Sequence, residues 1–139
     1  MVDDRTGLKF SKFFKTKNGM VEPTLEQWMR WHHAGTKVNR VRMDNAGENK
    51  RLEARANSAD WKELVVSFEY TPRDTPQHNH LAELAFATLA PRGRAMMAAA
   101  NVPLDKRFQI GYKAMETASL LDGLVSVTID GETLTRYEF

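Results

Sequence analysis

Two short apolar runs with a helical stretch between them constrain this chain more than any other feature. Residues 38–43 carry Val38, Val41 and Met43 and end in Asp44-Asn45-Ala46-Gly47, and residues 65–70 form a second such run. Residues 49–64 lie between them and read as a helix, with Leu52, Ala56, Ala59 and Leu64 inward and many charges in solvent. A strand, a helix and a second strand in that order favour parallel pairing through a crossover. The expected fold is therefore an α/β layer structure.

The flanking segments extend the pattern. Residues 8–14 read as a strand, with Leu8, Phe10, Phe13 and Phe14 mixed among Lys9, Ser11 and Lys12. Residues 15–19 are a polar turn. Residues 23–34 read as a helix, with Pro23 in its first turn and Gly35 as its stop. Leu25, Trp28, Met29 and His32 make one buried face. Residues 71–79 hold two prolines and form a loop. Residues 81–100 are helical, with Pro91 expected to kink or split them. Residues 104–121 form another helix, with Phe108, Tyr112, Met115 and Ser119 along one face. Residues 124–129 and 132–137 flank Asp130-Gly131, a strong hairpin signal. Met1-Val2-Asp3-Asp4 reads as the tail of a strand whose body is missing.

Composition narrows the function classes. A chain of 139 residues suits one domain with one core. Apolar residues at 42% and charged residues at 27% make ordinary globular composition, so the chain is not read as disordered. It has no cysteine, which excludes disulfides, thiol nucleophiles and thiolate zinc sites. A net charge of +2 and a pI near 9.0 permit a nucleic-acid partner without demanding one. No run approaches a membrane span and no apolar signal core opens the chain, so a soluble, unsecreted protein with no membrane partner is expected.

Two carboxylates carry the chemical interest. Asp44 follows the strand over residues 38–43, at the strand end where α/β folds place ligands. Asp-Asn-Ala-Gly is also good turn chemistry without any ligand. Glu83 opens the helix after the stiff, polar loop Thr71-Pro72-Arg73-Asp74-Thr75-Pro76-Gln77-His78-Asn79. An acid there also suits a helix N-terminus for electrostatic reasons alone. If the strands are parallel neighbours, Asp44 and Glu83 come together and offer the hard oxygen ligands that magnesium favours. Metals held this way can activate an attacking oxygen and stabilise a leaving one on phosphorus, chemistry that normally uses a third carboxylate. His32-His33 reads as half core and half surface, and Trp28 and Trp31 as core and rim of one helix.

The order of these motifs resembles a copia-type retrotransposon integrase catalytic core. That family carries patterns close to R-S-D-N-G-G-E, T-A-P-x-T-P-Q-x-N-G-x-x-E-R and a basic R-A-M-L. Here they correspond to Arg42-Met43-Asp44-Asn45-Ala46-Gly47-Glu48, then Thr71-Pro72, Thr75-Pro76-Gln77-His78-Asn79 and Glu83, then Arg94-Ala95-Met96-Met97. Asp3-Asp4-Arg5-Thr6 and Lys15-Thr16-Lys17 resemble D-D-x-x-R and K-T-K, and Thr135-Arg136-Tyr137-Glu138 resembles T-P-Y-E. The departures are His80 for glycine, Leu84 for a basic residue and Arg136 for proline. The strand with the family's first catalytic aspartate is expected to be missing, and Asp3 and Asp4 match a later stretch.

The resemblance implies a ribonuclease H-like mixed sheet flanked by helices, with its first strand missing. Residues 1–123 would be a truncated integrase core and residues 124–139 a C-terminal hairpin or extension. It implies strand transfer into DNA by Asp44 and Glu83 as catalytic and metal ligands, with Mg2+ or Mn2+ as cofactor and no small-molecule cofactor. Asn45, Arg73, Gln77, Asn79, Arg92 and Arg94 would contact DNA, chiefly its phosphates. A second copy of the chain is a further candidate partner. The expected location is intracellular, and nuclear if the chain works as an integrase. With two of three carboxylates, the chain is expected to be an incomplete fragment with little activity of its own. The alternatives are a non-catalytic nucleic-acid-binding relic and a fold borrowed for partner binding.

Overall fold

In a computed structural model, residues 1–72 and 80–138 are described. The chain forms two compact units. The first joins Met1–Phe13 to His80–Phe139, and the second is Phe14–Asn79.

The second unit contains the strand–helix–strand core. A 3-10 turn over Lys17–Met20, capped by the Thr16 hydroxyl, leads into α1, Val21–His33. The strand β1, Arg40–Met43, is followed by α2, Gly47–Ala56, and by β2, Ser67–Tyr70. The two strands pair in parallel, with Arg40 opposite Ser67 and Met43 opposite Tyr70. Backbone bonds from Ser67 N to Asn39 O and from Thr71 N to Met43 O, each 2.9 Å, close the two ends of the pair.

The core of this unit follows the helical spacing. Leu25 and Trp28 on α1 are 0% and 2% exposed, and they meet Leu52 and Ala56 of α2 and Leu64. Val41, Met43 and Phe68 pack against this cluster from the sheet, and the Trp28 and Phe68 rings sit 6.2 Å apart. Each such large side chain contributes about 1.5–3 kcal/mol when fully buried. Gly35, at φ +92°, takes the left-handed conformation that ends α1. Arg55 ties the helices from outside, reaching Glu22 at 2.5 Å and Asp60 at 2.6 Å.

Several expectations need correction. The helix after β1 stops at Ala56 instead of running to residue 64. The chain turns at Asn57 and Ser58, and a 3-10 turn over Ala59–Trp61 follows, which leaves Ala59 exposed. Val65, expected in a strand, is 84% exposed and precedes β2. Residues 8–14 are not a strand. Met1–Asp3 offers ladder partners only as far as Phe10, through the Val2–Lys9 bridge and the bonds Asp3 N to Leu8 O and Phe10 N to Met1 O.

The first unit is built on two long helices, α3, His80–Ala99, and α4, Leu104–Gly123. Ala85, Leu89, Gly93 and Met97 recur every four residues along α3 and form its buried stripe. A methyl on Gly93 would lie 3.4 Å from the Ala114 carbonyl carbon and the Met115 nitrogen, so this glycine lets the two backbones approach. Pro91 lies inside α3 without splitting it. The face expected on α4 is only partly right. Ser119 is buried, but Tyr112 is exposed and Phe108 is 94% exposed. Burial on α4 concentrates at Ala118, Ser119, Asp122 and Gly123.

The hairpin forms where expected. Strands β3, Ser126–Ile129, and β4, Glu132–Thr135, pair antiparallel. Asp130 and Gly131 have φ +53° and +86°, the two positive values that a type I′ turn requires. The single mixed sheet expected from the sequence is therefore, among the described residues, a parallel pair in one unit and an antiparallel hairpin in the other. The architecture is α/β. No helix among the described residues is long and apolar enough to cross a membrane.

Candidate metal and nucleic-acid site

Asp44 directly follows β1, so the parallel pair presents it at the C-terminal end of a strand. The Thr71 amide and hydroxyl, at 2.9 and 3.4 Å, both donate to the Met43 carbonyl and hold that strand end in place. Asn49, in the first turn of α2, donates its side-chain amide to the Asp44 carbonyl at 3.1 Å and also to the Asp44 carboxylate. The turn between strand and helix is thereby cross-braced. Asp44 is exposed, and no cation pairs with it among the described residues. Sequence reasoning did not single out Asn49. Its signal was an amide five residues after an aspartate across a strand-to-helix turn.

The neighbours of Asp44 are spoken for. Arg42 pairs with Glu69 at 3.2 Å, and Arg40 pairs with the same glutamate at 3.4 Å. The Glu48 carboxyl is held below its ordinary value, first by its backbone hydrogen bond and then by Lys17, 3.3 Å away. Tyr70 donates to Glu53 at 2.6 Å, and burial together with that carboxylate pushes its hydroxyl up to about 12. Asn45 is exposed.

Glu83 lies in the first turn of α3 and is exposed. Asp44 belongs to the second unit and Glu83 to the first. Each is an oxygen donor without a cation partner among the described residues, the donor type that hard divalent ions take. In number they are two, and no group of three His, Cys, Asp or Glu side chains stands together among the described residues. Arg73, Gln77 and Asn79, with His78, lie outside the described residues. Asp3 serves its own turn, accepting from the Thr6 amide at 2.7 Å and hydroxyl at 2.6 Å. His32 is half-buried, and His33 faces Glu63 at 3.6 Å.

The basic candidates divide. Arg94 is exposed on α3. Arg92 is half exposed and donates to the carboxylate of Asp122, which is 3% exposed. The same carboxylate takes Lys9 at 2.6 Å and Arg136 at 3.1 Å. Arg136 also donates to the Asp122 carbonyl at 2.9 Å and the Thr6 carbonyl at 3.1 Å. Burial by itself would raise the Asp122 carboxyl, but the bonds from Lys9 and Arg92 and the charges of Lys9 and Arg136 outweigh it and hold the group below its ordinary value. Arg136, a departure from the T-P-Y-E pattern, is thus one of the residues that satisfies a buried acid. Sequence reasoning missed this cluster because its four members lie far apart in the chain.

Beside the cluster, within the same unit, a cleft of about 280 Å³ is lined by Lys9, Ser11, Lys12, Glu116, Ser119 and Tyr137, among others. None of the carboxylates or arginines singled out in the sequence lines it.

No family model and no curated protein matches this chain. Among solved structures, a chain in the cryoEM structure of simian T-cell lymphotropic virus intasome in complex with PP2A regulatory subunit B56 gamma is similar, with a TM-score of 0.59 and 16% identity. The match covers 99% of this chain and 45% of that one, so this chain spans less than half of its neighbour's length. What this chain shares with that intasome chain is a fold.

Proposed function

We propose that this chain is an integrase-type core of ribonuclease H-like fold and copia class, built for polynucleotidyl strand transfer on DNA. The observation that carries the reading is Asp44, exposed and braced by Asn49 at the C-terminal end of a parallel strand. The fold likeness to an intasome chain supports it, as does the order of the sequence motifs around Asp44 and Glu83.

In this reading Asp44 and Glu83 would supply the carboxylates that hold Mg2+ or Mn2+. Such ions, when bound, activate an attacking 3′ hydroxyl and stabilise the leaving oxygen. The protein's own part is positioning and charge. Asn49 fixes the Asp44 turn, so the carboxylate meets the ion with little reorganisation. Asn45, Arg73, Gln77, Asn79, Arg92 and Arg94 hold the DNA, the arginines through its phosphates. Two carboxylates offset only half the charge of two divalent ions, so we expect the chain by itself to bind the ions weakly, on the order of 10⁻³ M.

The test is a calorimetric Mn2+ titration of the unmodified chain, Asp44→Asn, Glu83→Gln and the double variant. Shared ligation makes each single change abolish most of the binding, and the double change adds little. Additive losses, or no loss in either single variant, overturn the shared site.

A further inference from the structure

We propose that Asp122 is a positioning residue that presets Arg92, Lys9 and Arg136 as one anion-binding patch for nucleic-acid phosphate. The inference rests on the reading of a DNA partner, but it concerns residues apart from the metal carboxylates. All four lie in the first unit.

Three cations converge on one carboxylate: Lys9 at 2.6 Å, Arg136 at 3.1 Å and Arg92. A fold that needed only to neutralise Asp122 would be served by one or two of them. Three cations on one acid leave a local excess of positive charge, which attracts an anion. Lys9 and Arg136 are largely buried, at 14% and 19% exposure, so their field is screened less than that of surface lysines. Arg92 is the one that reaches out. Half of its side chain is exposed, and its recorded bond uses a single guanidinium nitrogen, leaving the other N–H donors without a partner among the described residues. A guanidinium held on one edge by a buried acid, with its free edge in solvent, is ready to fork onto a phosphate with little loss of side-chain entropy. Asp122 also sets which way that edge points, because the acid is fixed on α4 and its carboxylate is further gripped by Arg136 from the C-terminal segment and Lys9 from the N-terminal turn.

The experiment measures affinity for a short mixed-sequence DNA duplex by fluorescence anisotropy against salt, in EDTA, with the whole chain. Arg92→Ala should lower the slope of log affinity on log salt by about 0.9, the loss of one phosphate contact. Arg92→Lys keeps the charge but loses the fork, so affinity should fall about three- to tenfold. Asp122→Asn removes a negative charge. On net charge alone it should bind DNA more tightly; with Asp122 as the positioning residue it binds more weakly, measured below its unfolding midpoint. Tighter or equal binding by folded Asp122→Asn overturns the proposal, and so does an unchanged affinity in Arg92→Lys. If Asp122→Asn does not fold, the two Arg92 variants decide. No DNA binding by the unmodified chain also overturns it, whereas the Mn2+ titration of Asp44 and Glu83 stands or falls separately.

Discussion

Taking a carboxylate out of water costs several kcal/mol unless partners replace the lost solvation, and Asp122 has three of them. Removing one side of such a buried arrangement is more damaging than the arrangement is worth. Asp122→Asn should therefore lower stability by about 3–5 kcal/mol, read from urea unfolding. The pH dependence has a definite sign. The folded carboxyl is held below its ordinary value, so its contribution is complete above about pH 4 and is lost as pH falls through the depressed folded value. Acid unfolding should shift to higher pH when Lys9 is changed to Met, since that removes one of the groups holding the value down. Nearby, a methyl added to Gly123 would overlap the Tyr137 ring. Gly123→Ala should displace that ring at a cost of about 1–3 kcal/mol, visible as changed tyrosine fluorescence together with a lower Tm.

At the scale of elements, the helices show where sequence patterning succeeds. The α1 face of Leu25 and Trp28 was legible because its spacing is clean and a glycine ends the helix. The Asp130-Gly131 hairpin was legible because few residue pairs take two positive φ values. The α4 face was only half legible. Phe108 sits on the expected stripe, but periodicity shows which side is apolar and says nothing about how far along the helix a partner covers it. Phe108→Ser should accordingly change stability by less than about 0.5 kcal/mol in thermal unfolding. The stripe on α3 gives the opposite case. Gly93→Leu should push α3 and α4 apart and cost about 1–3 kcal/mol, because the backbone of α4 already stands where the new side chain would go. The Asp122 cluster was not legible at all, since each charged member reads alone as a solvated side chain.

At the scale of the whole molecule, the chain combines a parallel strand pair that presents Asp44 with a helix that opens on Glu83. Both carboxylates were singled out from the sequence, and both are exposed. The brace of Asp44, Asn49, and the separate Asp122 cluster came only from the structure. On the proposed reading, strand transfer would need two fixed ions, which two carboxylates would hold loosely. Joining of oligonucleotides by this chain in magnesium should therefore fall below detection, and readily measured joining that Asp44→Asn and Glu83→Gln both abolish would show that the pair suffices. The most direct test of the central claim is paramagnetic broadening by Mn2+ of backbone amide signals in the folded chain. If one ion is shared, the amides around Asp44 and those around Glu83 broaden together at the same Mn2+ concentration, and Asp44→Asn removes both effects. Broadening at one carboxylate alone, or broadening at Glu83 that persists in Asp44→Asn, would contradict a shared metal site.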